Sequence, residues 1–109
     1  MDLMLEDKIA LISGGSRGIG FHIARDLAGE GCRVAISGRG EADLKKADAD
    51  LAALGKGKSS SFAGDMTQKS DCEGFLEAAL AAFGGVDILV NNVGGSDPKS
   101  LLDTTDEDW

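Results

Sequence analysis

Residues 13–20, SGGSRGIG (Ser13 to Gly20), follow directly on the apolar run Ile9-Ala10-Leu11-Ile12 and hold four of the chain's sixteen glycines. An apolar run this short and unbroken fits a strand covered on both faces. Beyond the glycines, Ile19, Ile23 and Leu27 recur every four residues, which predicts an apolar stripe on a helix from about Gly18 to Ala28. SGGSRGIG is therefore a strand-to-helix turn from which most side chains have been removed. Such a turn gathers free backbone N–H groups and the positive end of a helix dipole in one place, which suits a phosphate.

The same alternation continues along the chain. Gly29-Glu30-Gly31 stops the first helix, and Arg33 to Ser37 (RVAIS) reads as a second strand ended by Gly38-Arg39-Gly40. Leu44, Ala47, Leu51 and Leu54 place a second helix over Glu41 to Leu54. Ser59 to Ala63 (SSSFA) is a third strand because the alternation requires one, with Phe62 and Ala63 as its buried residues. The stripe Cys72, Phe75, Leu76, Ala79, Leu80 and Phe83 marks a third helix, with Ser70 and Glu73 spaced as a capping box and Gly84-Gly85 as its end. A fourth strand, Asp87 to Asn91 (DILVN), leads into a polar segment. At the C-terminus, TTDEDW has the caps and first-turn carboxylates of a new helix start. Alternating βαβαβαβ with short connections implies an α/β fold, a parallel sheet with right-handed crossovers and helices on both faces.

Composition narrows the partners. Nineteen acidic against eleven basic residues give a net charge of -8, which argues against a nucleic-acid partner, since phosphate neutralisation needs clustered cations. No stretch reaches the roughly 20 apolar residues that span a bilayer, and Asp2, Glu6 and Asp7 stand where a signal peptide would be basic. A cytoplasmic protein without membrane contact is expected. Cys32 and Cys72 lack metal-ligand spacing and are expected to be reduced and structural, and with the lone His22 they suggest no metal site.

Three glycine motifs compete for the turn. Gly15 and Gly20 have P-loop spacing, but Phe21 occupies the lysine position. GxGxxG fails because Gly18 and Gly20 are followed by Phe21, His22 and Ile23. GxxxGxG remains, on Gly14, Gly18 and Gly20.

Here the sequence resembles the short-chain dehydrogenase/reductase family, including its 3-oxoacyl-reductase-like members. SGGSRGIG resembles the family's TGxxxGxG loop, with Ser13 keeping the hydroxyl of the usual threonine. DILVNNVG, Asp87 to Gly94, resembles its NNAG segment, with Val93 in place of alanine. GDM, Gly64 to Met66, matches the acidic position after strand three, and TTDEDW looks like the start of the fifth helix. The likeness covers nearly the whole chain, in order and at the right spacing.

The resemblance implies a Rossmann-type doubly wound parallel sheet of order 3-2-1-4, truncated after strand four, with residues 1–109 as the dinucleotide-binding N-terminal part of one incomplete domain. It assigns the cofactor's phosphates and adjoining ribose to Gly14, Gly15, Ser16, Arg17 and Ile19. Gly18 and Gly20 are to provide close backbone approach and tight helix–strand packing. Asp65 and Met66 are to lie beside the adenine, Asn92 near its ribose, and Asn91 is to tie neighbouring strands together.

Cofactor choice follows from the end of the second strand. Folds of this kind that select the unphosphorylated cofactor usually carry Asp or Glu there, whereas this chain has Ser37-Gly38-Arg39. Arg39, with Arg17 as a second cation, favours NADP(H) over NAD(H) through charge-assisted contacts to a 2′-phosphate.

The resemblance also implies hydride transfer to or from a small carbonyl or alcohol substrate, with a tyrosine acid/base and a lysine from a YxxxK motif, a carbonyl-holding serine and a relay asparagine. The sequence contains no tyrosine, so no catalytic residue is assigned, and the chain is expected to be the inactive N-terminal part of a longer reductase. A non-catalytic nucleotide-binding module and an inactive fragment are the alternatives, separated from each other by NADPH titration. In the family's strand order Ile88, Leu89 and Val90 occupy an unprotected edge, so a homo-oligomer or a self-associating fragment is expected. Size-exclusion chromatography with light scattering should give a mass above the 11.2 kDa of one chain. A monodisperse, cooperatively unfolding monomer contradicts this.

Overall fold

A computed structural model describes residues 6–15, 18–54 and 58–91. Within them the chain alternates as β1 (Ile9–Ser13), α1 (Gly18–Gly29), β2 (Arg33–Gly38), α2 (Glu41–Leu54), β3 (Ser59–Ala63), α3 (Lys69–Phe83) and β4 (Ile88–Asn91). The four strands form one parallel sheet of order β3-β2-β1-β4. It is a Rossmann-type doubly wound fold with four strands, in the expected order. The proposed helix start over Thr104 to Trp109 lies outside the described residues.

Each strand's two-residue period divides the core. Ala10, Ile12, Val34 and Ile36 face one side, where they pack with Ala24 and Ala28 of α1 and Leu44, Ala47 and Leu51 of α2. Ile9, Leu11 and Ala35 face the other, with Cys72, Phe75, Leu76 and Ala79 of α3. All five residues of β1 are buried, as expected for an unbroken apolar strand covered on both faces. β4 lies at one edge, with all four residues only half-buried.

Three local expectations are corrected. The first concerns the buried face of α1, which is Gly20, Ala24 and Ala28 instead of the Ile19-Ile23-Leu27 stripe. Ile19 is 71% exposed, and Ile23 and Leu27 flank the core. Small residues let the helix axis settle close to the sheet, and the larger apolar residues one position earlier close the side of that contact.

Second, Ala63 of β3 is exposed and Phe62 half-buried, so this edge strand buries its aromatic ring alone; that ring lies 6.0 Å from Phe75. Third, Ser70 is not a cap. Gln68 is the N-cap of α3 and makes no side-chain cap bond. A first-turn carboxylate does act there: Asp71 Oδ2 accepts the Asp65 N–H at 2.8 Å. At the other end Gly84 takes the left-handed conformation, φ 85°, and its N–H bonds to the Leu80 carbonyl, as a glycine terminator should.

The α1 correction carries a measurable consequence. Ala24→Leu should lower the unfolding free energy by about 1–3 kcal/mol through overpacking, whereas Ile19→Ala should stay within about 0.5 kcal/mol of the parent. Denaturant unfolding of the two variants distinguishes them; the opposite ranking restores the large-residue stripe as the buried face.

Candidate functional site

The carboxyl ends of β1, β2 and β3 carry the glycine turn, Arg39 and Asp65 at one end of the sheet, and the sheet's order reverses between β2 and β4 on either side of β1. Ligands of open α/β sheets bind at such a reversal, outside the carboxyl ends of the strands.

The glycine turn is built by contact as much as by freedom. Gly14 and Gly18 have φ of 69° and 61°, values that L side chains adopt at a cost. At Gly15 a Cβ would lie 2.6 Å from Ile36 Cγ2 and 3.2 Å from the Ile12 carbonyl oxygen, so only hydrogen fits. Tight packing thus falls on Gly15 as well, while a Cβ on Gly18 would meet nothing within 4 Å among the described residues. Gly20 is buried in the helix–sheet contact, as expected.

Ser37 fastens the turn, a role with no motif to announce it. This buried residue accepts the Gly14 N–H on its hydroxyl at 3.2 Å and the Gly15 N–H on its carbonyl at 3.0 Å. These two amides are therefore committed within the protein. Among the described residues, the amides left for an anion are those of the first turn of α1, from Gly18 and Ile19 onward, which have no acceptor within the helix. Ser16 and Arg17, between turn and helix, lie outside the described residues, as does Asn92.

On the other side of the turn, Ser13 Oγ donates to Asn91 Oδ1 at 2.9 Å. The hydroxyl of Ser13 and the amide of Asn91 thus join β1 to β4, the strand-tying role expected of Asn91. Ile9 and Asp87 make the matching connection at the opposite end, where the Ile9 N–H donates to Asp87 Oδ2 at 2.9 Å.

Arg39 follows β2 and Asp65 follows β3, and the structure pairs them. Arg39 Nη2 donates to Asp65 Oδ1 at 3.3 Å, with the Arg39 side chain 72% exposed and that of Asp65 33% exposed. The same oxygen accepts the Thr67 hydroxyl at 2.7 Å and the Thr67 N–H at 2.9 Å. Chiefly through those two Thr67 bonds, and then through the charge of Arg39, the Asp65 carboxyl is held below its ordinary value of 3.8 and is ionised throughout the neutral range.

Met66 differs from expectation in what it offers: its side chain is only 5% exposed and packs in the α3-side core. Its carbonyl accepts from Cys72 Sγ at 3.2 Å. Any contact with a ligand is left to the main-chain N–H. The thiols of Cys72 and Cys32 are buried and form no disulfide, and burial pushes both above the ordinary thiol range. His22 is exposed on α1 with Nδ1 2.9 Å from Arg25 Nη2; arginine only donates, so Nδ1 is the acceptor. Among the described residues no three His, Cys, Asp or Glu side chains converge as metal ligands, and no helix is long and apolar enough to cross a membrane.

A glycine turn against a helix N-terminus, a cation after β2 and an acid after β3, all at one end of a 3-2-1-4 parallel sheet, define a Rossmann-type α/β protein. Comparison with known proteins makes this specific: the family pattern described as short chain dehydrogenase matches residues 8–109. The chain belongs to the short-chain dehydrogenase/reductase family.

It is 38% identical over 107 residues to the D-beta-hydroxybutyrate dehydrogenase of Cupriavidus necator, covering 97% of this chain and 41% of that protein. With the Escherichia coli 3-oxoacyl-[acyl-carrier-protein] reductase FabG it shares 40% identity over 104 residues, covering 95% of this chain and 41% of the relative. Among solved structures, L-sorbose reductase from Gluconobacter frateurii, complexed with NADPH and L-sorbose, superposes with a TM-score of 0.84 at 32% identity, covering all of this chain and 41% of the other. The chain thus spans about two fifths of the length of these relatives.

Ser37→Ala should leave the Gly14 N–H without its acceptor in a buried setting, at a cost of about 1–3 kcal/mol. Chemical denaturation measures this. An unchanged midpoint means that Ser37 does not fasten the turn.

Proposed function

We propose that this chain is the NADP(H)-binding part of an oxidoreductase that transfers hydride between the nicotinamide and a small carbonyl or alcohol substrate. The observation that carries the reading is Arg39: an exposed guanidinium at the carboxyl end of β2, where a carboxylate would serve the unphosphorylated cofactor. The residues present fit such a ligand. The first turn of α1 offers amides and a positive dipole end, and no described residue comes within 4 Å of a Cβ built at Gly18.

Bound there, the nicotinamide dinucleotide would supply or accept the hydride. The chain's own residues bind and orient it. Gly14 and Gly15 shape the turn, while the first α1 amides at Gly18, Ile19 and Gly20, with Ser16 and Arg17, hold the pyrophosphate and adjoining ribose. Arg39 binds the 2′-phosphate, Asp65 and the Met66 main chain border the adenine, and Asn92 lies near its ribose. The sequence contains no tyrosine to serve as the family's acid/base, so the part these 109 residues take in this reading is cofactor binding. The family likeness and the NADPH complex of L-sorbose reductase support the reading.

Arg39→Ala tests it. Losing a charge-assisted contact of about 1.5–3 kcal/mol should weaken NADPH binding roughly ten- to a hundredfold and leave NADH binding little changed. Equal losses for the two cofactors in an equilibrium titration refute the NADP(H) assignment.

A further inference from the structure

We propose that Thr67 is a specificity-determining positioning residue: its hydroxyl pins the Asp65 carboxylate, which in turn holds the Arg39 guanidinium in place for a 2′-phosphate. The proposal rests on the NADP(H) reading above and adds the device that makes Arg39 selective.

Arg39 needs such a device. Its side chain is long and largely exposed, and an exposed ion pair between two mobile side chains holds neither in one geometry. Asp65, however, is held at one carboxylate oxygen and at its main-chain N–H. Its Oδ1 takes two hydrogen bonds from Thr67, at 2.7 and 2.9 Å. The Asp65 N–H is held by Asp71 Oδ2 from α3 at 2.8 Å. The preceding Gly64 N–H donates to the Gly38 carbonyl at 2.9 Å, which ties the end of β3 to the end of β2 immediately before Arg39.

The carboxylate is thus a fixed point relative to the backbone that carries Arg39. One guanidinium N–H is spent on it at 3.3 Å, and a guanidinium has five N–H donors in a rigid fork. The remaining donors are therefore presented in a set orientation. The opposing effect is repulsion between the Asp65 carboxylate and an incoming phosphate, which predicts a change of the opposite sign and is settled by the same measurement.

Thr67→Val keeps the shape and the main-chain N–H bond to Asp65 and removes only the hydroxyl donor. Binding of NADPH and of NADH is measured by equilibrium titration for the parent protein and for Thr67→Val, Thr67→Ser and Arg39→Ala. Thr67→Val should weaken NADPH binding by about three- to tenfold, the span of one hydrogen bond to a charged group made partly redundant by the second, and weaken NADH binding clearly less, by no more than the contact of Asp65 with the shared adenine. Thr67→Ser should restore the parent preference, and Thr67→Val should add nothing in an Arg39→Ala background. Equal weakening of both cofactors, an unchanged ratio, or a stronger preference for NADPH overturns the proposal. If Arg39→Ala itself leaves the NADPH/NADH ratio unchanged, the 2′-phosphate reading fails and this proposal fails with it. If Arg39→Ala lowers the ratio and Thr67→Val does not, only the positioning role of Thr67 fails.

Discussion

The binding end of this protein depends on one steric constraint, the contact between Gly15 and Ile36. A Cβ at Gly15 would overlap the Ile36 side chain at 2.6 Å, so the chain leaving β1 can lie down on the end of β2 only with hydrogen there. Once it does, Ser37 receives both amides of the turn, and the chain is turned back to begin α1 at Gly18. The helix start then stands over the carboxyl edge of the sheet with unspent N–H groups. A larger residue at position 15 would lift the turn away from Ser37, and the helix dipole would no longer be aimed from a fixed place.

Changes of period made the fold legible in the sequence. Each strand is a short apolar or β-branched run and each helix a three-and-four spacing, with glycine at nearly every junction; all seven elements fall within a residue or two of their expected places. Position within an element was harder to read. In α1 the search for large apolar residues selected Ile19, Ile23 and Leu27, but a crossover helix packed tightly on a sheet buries its smallest residues, and glycine and alanine carry little weight in a hydrophobic pattern. For α3 the serine and glutamate spacing pointed to Ser70, while the acceptor for the Asp65 amide is Asp71, one residue on.

The site was legible in part for a related reason. Gly14, Gly18, Arg39 and Asp65 stand out because glycine spacing and charge are visible in one dimension. Met66 could not be weighed correctly, since nothing local says which of two neighbours after a strand turns inward; here Asp65 turns toward Arg39 and Met66 toward Cys72 and Phe75. Ser37 and Thr67 were missed because a hydroxyl signals no particular partner until a third dimension supplies one. Both act within the protein, on a backbone amide and on a carboxylate, and that kind of role leaves no motif.

The charge of the site runs against that of the whole molecule. A chain of net charge -8 repels a phosphorylated dinucleotide at long range, but at physiological ionic strength such repulsion is screened beyond about 8 Å. On the proposed NADP(H) reading, what acts at contact is local: the dipole end of α1, its first-turn amides, Arg17 and, for the 2′-phosphate, the Arg39 guanidinium. Asp65 largely cancels that guanidinium's formal charge, so Arg39 and Asp65 together present a nearly neutral pair. Discrimination by such a pair comes from the direction of its N–H groups more than from net attraction. It therefore depends on how rigidly the carboxylate is held, which explains why an acidic protein would invest a threonine, an aspartate and a helix-borne carboxylate around a single exposed arginine.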